Sequence, residues 1–155
     1  MAGSRSFTVR RLEAADAALM DGMLTMFGEA FGEHDIYNDE RPSPAYMRDL
    51  LASSHFIALA ALEEGSVVGG LAAYELRKFE RERSEIYAYD LAVDEAHRRR
   101  GVATALIEEL KTIAAARGAW VIFVQADHGD DPAIALYTKL GIREEVLHFD
   151  IAVPR

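Results

Sequence analysis

The sequence predicts a mixed α/β fold, and three observations carry that prediction. Hydrophobic periodicity switches along the chain in the order β-α-α-β-β-β-α-β-α-β. Trp120 to Val124 is an unbroken apolar run of the kind buried on both faces of a sheet. A helical stretch separates it from a strand at 85–93, and strand–helix–strand implies a parallel pair with a right-handed crossover. The 155 residues, 50% hydrophobic and 28% charged, suit one domain over 7–151 with short flanks at 1–6 and 152–155.

The elements follow in order. Phe7 to Leu12 alternates like a short strand, and Leu19, Met23, Met26 or Phe27, and Ala30 recur at helical spacing between Asp16 and Phe31. Gly32 to Pro44 is polar and turn-rich, a surface loop, and Ala45 to Ala52 is a second helix. Phe56–Leu62 and Val67–Leu76 bracket Glu63-Glu64-Gly65-Ser66 as a hairpin, and Glu85 to Val93 follows as a third strand. Gly101 to Gly118 places Val102, Leu106, Leu110 and Ile113 on one face, with Gly118 where a left-handed residue closes a helix. Pro132 suits the first turn of a helix that ends at Gly141, and Glu145 to Ile151 is expected as a last strand. Trp120 and the Met23–Met26 pair are expected in the core.

Composition removes whole classes of function. With 17 basic and 26 acidic residues the net charge is −9, which repels nucleic acid and anionic lipid and attracts cations. The absence of cysteine excludes disulfides, iron–sulfur clusters and a cysteine acyl-enzyme. Five histidines show no ligand spacing, so no metal is expected. Met1 to Arg10 lacks an apolar leader and no run approaches about 18 apolar residues, so a cytoplasmic location without a membrane partner is expected.

The stretch Leu91-Ala-Val-Asp-Glu-Ala-His-Arg98-Arg-Arg-Gly101-Val-Ala103-Thr104 ends a strand, turns and opens a helix. Amides at a helix N-terminus are unpaired and sit at the positive end of the dipole, so such a turn is an anion site. Gly101 and Ala103 let an anion approach the backbone, and three arginines add charge in an otherwise acidic chain. The position predicts phosphate binding.

Arg98-x-x-Gly101-x-Ala103 after a strand, with Ala133-Ile-Ala-Leu-Tyr137-Thr-Lys-Leu-Gly141 downstream, resembles the GNAT superfamily of acetyl-CoA-dependent N-acetyltransferases. The blocks Phe56-Ile-Ala-Leu-Ala-Ala, Gly69-Gly-Leu-Ala-Ala-Tyr-Glu75, Glu82-Arg-Ser-Glu-Ile-Tyr87, Ile122-Phe-Val-Gln-Ala-Asp127 and His148-Phe-Asp-Ile151 are similar to type I aminoglycoside 3-N-acetyltransferases, the gentamicin acetyltransferases. The resemblance implies a GNAT fold: a mostly antiparallel sheet with a splayed parallel strand pair and flanking helices. It implies transfer from acetyl-CoA to an aminoglycoside 3-amine by direct attack in a ternary complex. Antibiotic resistance and a homodimer go with that family.

Site roles follow from the resemblance. Leu91, Ala92 and Val93 would hold the pantetheine arm. Arg98, Arg99, Arg100, Gly101, Val102, Ala103 and Thr104 would surround the diphosphate. Asp130 stands where many relatives carry an asparagine that touches pantetheine, and Ala133 and Tyr137 complete the coenzyme contacts. Tyr137 occupies the general-acid position, with an ordinary pKa of about 10 against about 8.5 for a thiol.

A largely protonated acceptor amine needs a base, and Glu85, Asp90 and Asp127 are candidates. Simple alternation puts Asp90 on the face of Ile86 and Ala88, away from Tyr87, unless a bulge rotates it. Ammonium groups of the substrate would meet Asp127, Asp131 and Asp150 at strand ends, Tyr87, and Glu29, Glu33, Asp35 and Tyr37 on the N-terminal loop. Two other functions fit the same residues: acetylation of a polyamine or protein N-terminus, or a non-catalytic acyl-CoA sensor.

Overall fold

The computed structural model describes residues 6–155; residues 1–5, part of the expected flank, lie outside the described residues. The chain divides into two compact units, one ending at Gln125 and one of Ala126–Arg155.

The first unit is a five-stranded sheet in the order β1-β2-β3-β4-β5 with helices on both faces. Its strands are β1 (Thr8–Arg11), β2 (Phe56–Glu63), β3 (Ser66–Arg77), β4 (Ser84–Val93) and β5 (Ala119–Val124). The first four pair antiparallel and β4 pairs parallel with β5, so the mixed sheet expected from the sequence is formed. Helices α1 (Ala17–Phe31) and α2 (Pro44–Ala52) cover one face, and α3 (Val102–Ala116) covers the other.

Each face buries its own core. Ile57, Leu59, Leu71 and Ile86 meet Leu106 and Leu110 of α3. On the other face Phe56 and Ala60 meet Met23 and Phe27 of α1 and Leu51 of α2, so the methionine pair is core as expected. Side chains of this size contribute roughly 1.5–3 kcal/mol each when fully buried. Gly69 lets α3 start close to β3, because a Cβ there would stand 2.6 Å from Val102 Cγ1.

Two irregularities shape the C-terminal half of β4. Ala72 pairs with Asp90 but Ala73 pairs with Ala88, so Tyr89 is an extra residue in a β-bulge. The parallel ladder with β5 ends at Ala88–Val124, although β4 continues to Val93. That divergence is the splay the family resemblance implies.

Three expectations are corrected. Trp120 is 61% exposed, because β5 is an edge strand; its ring lies 4.8 Å from the Arg83 guanidinium instead of in the core. The loop Gly32–Pro44 contains a π-helical turn, Asp35–Asp39, that half-buries Tyr37. Glu145 to Ile151 is not a strand: 142–155 carry no regular structure, and Leu147, Phe149 and Ile151 are 84%, 76% and 88% exposed. An extended segment is stable only when a neighbouring strand takes up its backbone hydrogen bonds.

The second unit holds α4 (Asp131–Leu140). Pro132 lies in its first turn as expected, and Asp130 Oδ1 caps it by accepting from the Ala133 amide at 3.3 Å.

Candidate active site

The bulge decides where Asp90 points. Tyr87 lies on the α1 face, and the extra residue Tyr89 keeps Asp90 and Ala92 on that face as well. There the Tyr37 hydroxyl donates to Asp90 Oδ1 at 3.2 Å. Tyr37 is brought in by the turn after α1, where Gly32 is left-handed at φ +66° and Arg41 donates to Asn38 Oδ1 at 2.8 Å. Phe27 and Phe31 pack on its ring, with centroids 5.9 and 5.7 Å away.

Asp90 sits among aromatic rings. Tyr74 and Tyr87 flank Tyr89 at 5.9 and 5.1 Å, and Tyr87 stacks on Phe123 at 4.6 Å. Burial pushes the Asp90 carboxyl above its usual range and the negative charge of Glu33 adds to this, while the Tyr37 hydrogen bond pulls it down. Burial and the Asp90 charge in turn raise the phenols of Tyr37, Tyr74 and Tyr87. An acid of raised pKa with no cationic partner among the described residues, on a half-open aromatic face, is suited to taking a proton.

Glu85 is placed differently. It accepts from Arg83 Nη1 at 2.9 Å and lies five residues before Asp90, about 16 Å along the strand. Asp127 follows the first residue of the second unit, and its carbonyl accepts the Asp130 amide; Asp131 is exposed. Asp150 is 96% exposed at its side chain and lies 2.9 Å from His148 Nε2. Asp130 and Ala133 bond each other in the α4 cap, so the Ala133 amide has a partner already.

Downstream of Asp90, the 89–93 stretch of β4 has, among the described residues, no strand on its β5 side. It leads into a turn that reaches α3 through a 3-10 helix, Glu95–His97. Arg99 and Gly101 are left-handed, at φ +63° and +79°, and Arg98 Nε donates to the Val93 carbonyl at 3.2 Å. No side chain caps α3, whereas Ser43 caps α2 and Asp130 caps α4. The first amides of α3 therefore remain available, and nothing lies within 4 Å of where a Gly101 Cβ would stand. An open cradle of main-chain donors beside Arg99 and Arg100 fits the diphosphate of a coenzyme.

The acetyltransferase (GNAT) family profile matches residues 20–142. The chain belongs to the GNAT acetyltransferase family. The fold of this GNAT enzyme is close to that of an aminoglycoside acetyltransferase from an uncultured soil metagenomic sample: 65% identity, 96% of this chain and 99% of that one, TM-score 0.94. A second such enzyme from a soil metagenomic sample, solved in complex with sisomicin, is 29% identical over 96% of this chain and 97% of that one, with TM-score 0.88. An aminoglycoside N-acetyltransferase solved with CoA shares the fold at 16% identity, over 94% of each chain, with TM-score 0.75. No curated protein matches the chain.

GNAT acetyltransferases use acetyl-CoA, and the open β4 edge and uncapped α3 are the residues that would hold it. Among the described residues no group of three or more His, Asp or Glu could hold a metal. No helix among the described residues is long and apolar enough to cross a membrane. A groove of about 440 Å³ lies between β1 and α3, lined by Val9, Ala105 and Glu109; Asp90 and Tyr37 do not border it.

Tyr137 lies on α4 of the second unit. Burial and the Asp130 charge push its phenol up to about 12. A phenol raised in this way holds its proton more tightly than a thiol of ordinary pKa, about 8.5. What this group does well is keep its proton at every physiological pH and donate a hydrogen bond to a developing anion.

Sequence reading missed Tyr74. The antiparallel hairpin register, which sets Tyr74 opposite Phe56 on β2 and Tyr87 on β4, was the signal available for it. It also left His97 without a role.

Proposed function

We propose that this enzyme transfers the acetyl group of acetyl-CoA to the 3-amine of a gentamicin-type aminoglycoside, by direct attack in a ternary complex. The observation that carries the reading is that the stretch of β4 beyond its ladder with β5 begins at Asp90 and leads, through the 94–101 turn, to the α3 amides. A base and a coenzyme cradle are thus joined by the backbone that would lie beside the pantetheine arm. The polycationic acceptor is supported by the acid-and-tyrosine face around Asp90, the net charge of −9 and the 65% identical relative.

Asp90 takes a proton from the acceptor ammonium, directly or through water. The freed amine attacks the thioester carbonyl, whose developing oxyanion is held by a backbone N–H of the open β4 edge. The C–N bond forms, the C–S bond breaks, and the electron pair leaves on sulfur. Tyr137 donates a hydrogen bond to that thiolate, which then takes up the proton shed by the acylated nitrogen. Tyr137→Phe is expected to lower kcat about tenfold in a CoA-release assay. Acetylation removes one positive charge from the drug, which is the basis of resistance in a cytoplasmic enzyme.

The test is a CoA-release assay with sisomicin, gentamicin, spermidine and an alanyl peptide, followed by NMR of the product. Acetylation at the 3-amine supports the reading. Turnover of spermidine or the peptide without the drugs, or acetylation at another amine, overturns it, and no turnover with any acceptor favours a sensor.

The reading also includes a homodimer. Ile142, Val146, Leu147, Phe149, Ile151 and Val153 expose their side chains within one extended segment, and β5 presents an apolar edge at Trp120 and Val121. Two such segments carry twelve apolar side chains. At roughly 100 Å² each they reach about 1,200 Å², the size of a stable interface once the covered surface is added. Insertion of the segment beside β5 of a second copy satisfies both. Light scattering is expected to give a dimer that truncation after Gly141 converts to monomer; a monomeric parent overturns it.

A further inference from the structure

His97 lies between two carboxylates. Its Nδ1 is 2.7 Å from Asp94 Oδ2, and its Nε2 is 2.6 Å from Glu63 Oε2 at the end of β2. Glu63 Oε1 is also 3.8 Å from Arg100 Nη1, and the Asp94 amide donates to the Val68 carbonyl of β3 at 2.9 Å. The 94–101 turn is therefore tied to the β2–β3 hairpin at Asp94 and His97, ahead of its two left-handed residues, Arg99 and Gly101, and at Arg100 between them. A neutral imidazole has a single N–H and would turn a lone pair toward one carboxylate, so this arrangement selects the imidazolium.

We propose that His97 is a positioning residue for the coenzyme: as imidazolium it clasps the 98–101 turn to the β2–β3 hairpin and so holds the α3 amides where the diphosphate binds. The proposal rests on reading those amides as the diphosphate cradle. Left-handed backbone at Arg99 is costly for a residue with a Cβ and persists only where its surroundings hold it. The clasp supplies that hold without touching the coenzyme.

Charge sets the sign of the pH effect. The groups facing His97 are Asp94 and Glu63, with Arg100 and the Ser6 hydroxyl on the far side of Glu63. Hydrogen bonds to Asp94 and then to Glu63 raise the His97 pKa above its ordinary 6.5. The clasp is fully formed below that ordinary value and is lost as pH rises through the higher folded one. Affinity for the coenzyme falls over the same window.

The experiment has two arms. In the uncomplexed parent, NMR is expected to show His97 titrating above 6.5, with the amides of Arg98 to Val102 moving in step. In calorimetry, His97→Ala is expected to weaken CoA binding about tenfold at a pH of about 6.5 and to remove the loss of affinity at higher pH. Its KM for acetyl-CoA rises with kcat unchanged. His97→Gln, which can bridge both carboxylates without charge, falls between and serves if the alanine variant folds poorly. Amides that ignore the titration, or a His97→Ala variant that binds CoA like the parent, overturn the proposal. A parent that binds no CoA overturns the cradle reading instead, and the first arm separates that failure from failure of the clasp.

Discussion

At the Ser84 end of β4 each carboxylate has a partner. Glu75 accepts from the Ser84 hydroxyl at 2.7 Å and pairs with Arg117 at 2.8 Å, and Glu85 pairs with Arg83. At the Asp90 end the acid has one phenol and a negative neighbour, Glu33. The outcomes are opposite. Burial pushes the Glu75 carboxyl up, but Ser84 and Arg117 outweigh it and the pKa falls; for Asp90 burial prevails and the pKa rises. Two acids on neighbouring strands thus serve different ends. Glu75 stabilises the sheet, and Asp90 is held at a cost to stability in a state ready to accept a proton.

Asp90→Asn tests that contrast most severely. It is expected to lower kcat by about 10²–10³-fold at saturating substrates, the range for loss of a general base. Thermal stability should move the other way. Because the fold disfavours the ionised Asp90, stability is lost as pH rises through its raised pKa, and the variant escapes that loss. Tm at neutral pH then exceeds that of the parent, and the difference vanishes in acid, below the ordinary carboxylate range, where both side chains are neutral. An unchanged kcat would remove Asp90 from the chemistry.

Gly101→Asp addresses the other end of the open edge. Gly101 adopts φ +79°, which a residue with a Cβ rarely tolerates, and the new carboxylate would face the incoming diphosphate. CoA affinity measured by calorimetry is expected to fall by about 100-fold or more while far-ultraviolet dichroism is retained. Unchanged binding would place the diphosphate elsewhere.

These two residues were not equally legible in the sequence. The turn at Arg98–Gly101 is local: a strand, a basic run and a glycine lie within a dozen positions, and the helix they open forms at Val102. Asp90 was visible as one of three candidate bases but could not be told from Glu85 and Asp127, because its direction depends on a bulge that only the pairing of β3 with β4 creates. Its contact with Tyr37 spans 53 positions and needs a π-helical turn that polar composition conceals. His97 gave no signal, since Glu63 reaches it from the end of β2, 34 positions away. The expected strand at 145–151 failed for the same kind of reason: alternation marks a segment able to pair, and pairing requires a neighbour.

Glu75→Gln sharpens the comparison from the structural side. With side-chain exposures of 14% and 20%, the Glu75–Arg117 pair lies between surface and buried ion pairs, so its loss costs about 2 kcal/mol. That lowers Tm by about 4–8 °C for a chain of this size. Since the Glu75 pKa is depressed, its contribution is present above the ordinary carboxylate range and lost as pH falls, and the deficit disappears in acid, below the depressed value. At saturating substrates kcat is unchanged. A parallel loss of kcat would mean the two ends of β4 are not separable.

Tyr37→Phe has the smallest expected effect and discriminates most finely. The phenol is the one group that draws the Asp90 pKa down, so its removal lets burial and Glu33 raise that pKa further. The acidic limb of the kcat/KM profile should therefore shift to higher pH, with a loss of about threefold to fivefold at neutral pH. Above the limb the rate returns to that of the parent, because a base of higher pKa accepts a proton at least as readily. Stability changes little, since the substituted ring would keep the packing on Phe27 and Phe31. If kcat/KM falls equally at all pH values, Tyr37 acts on the acceptor itself; if neither limb nor rate moves, its hydrogen bond to Asp90 is incidental to the packing of that turn.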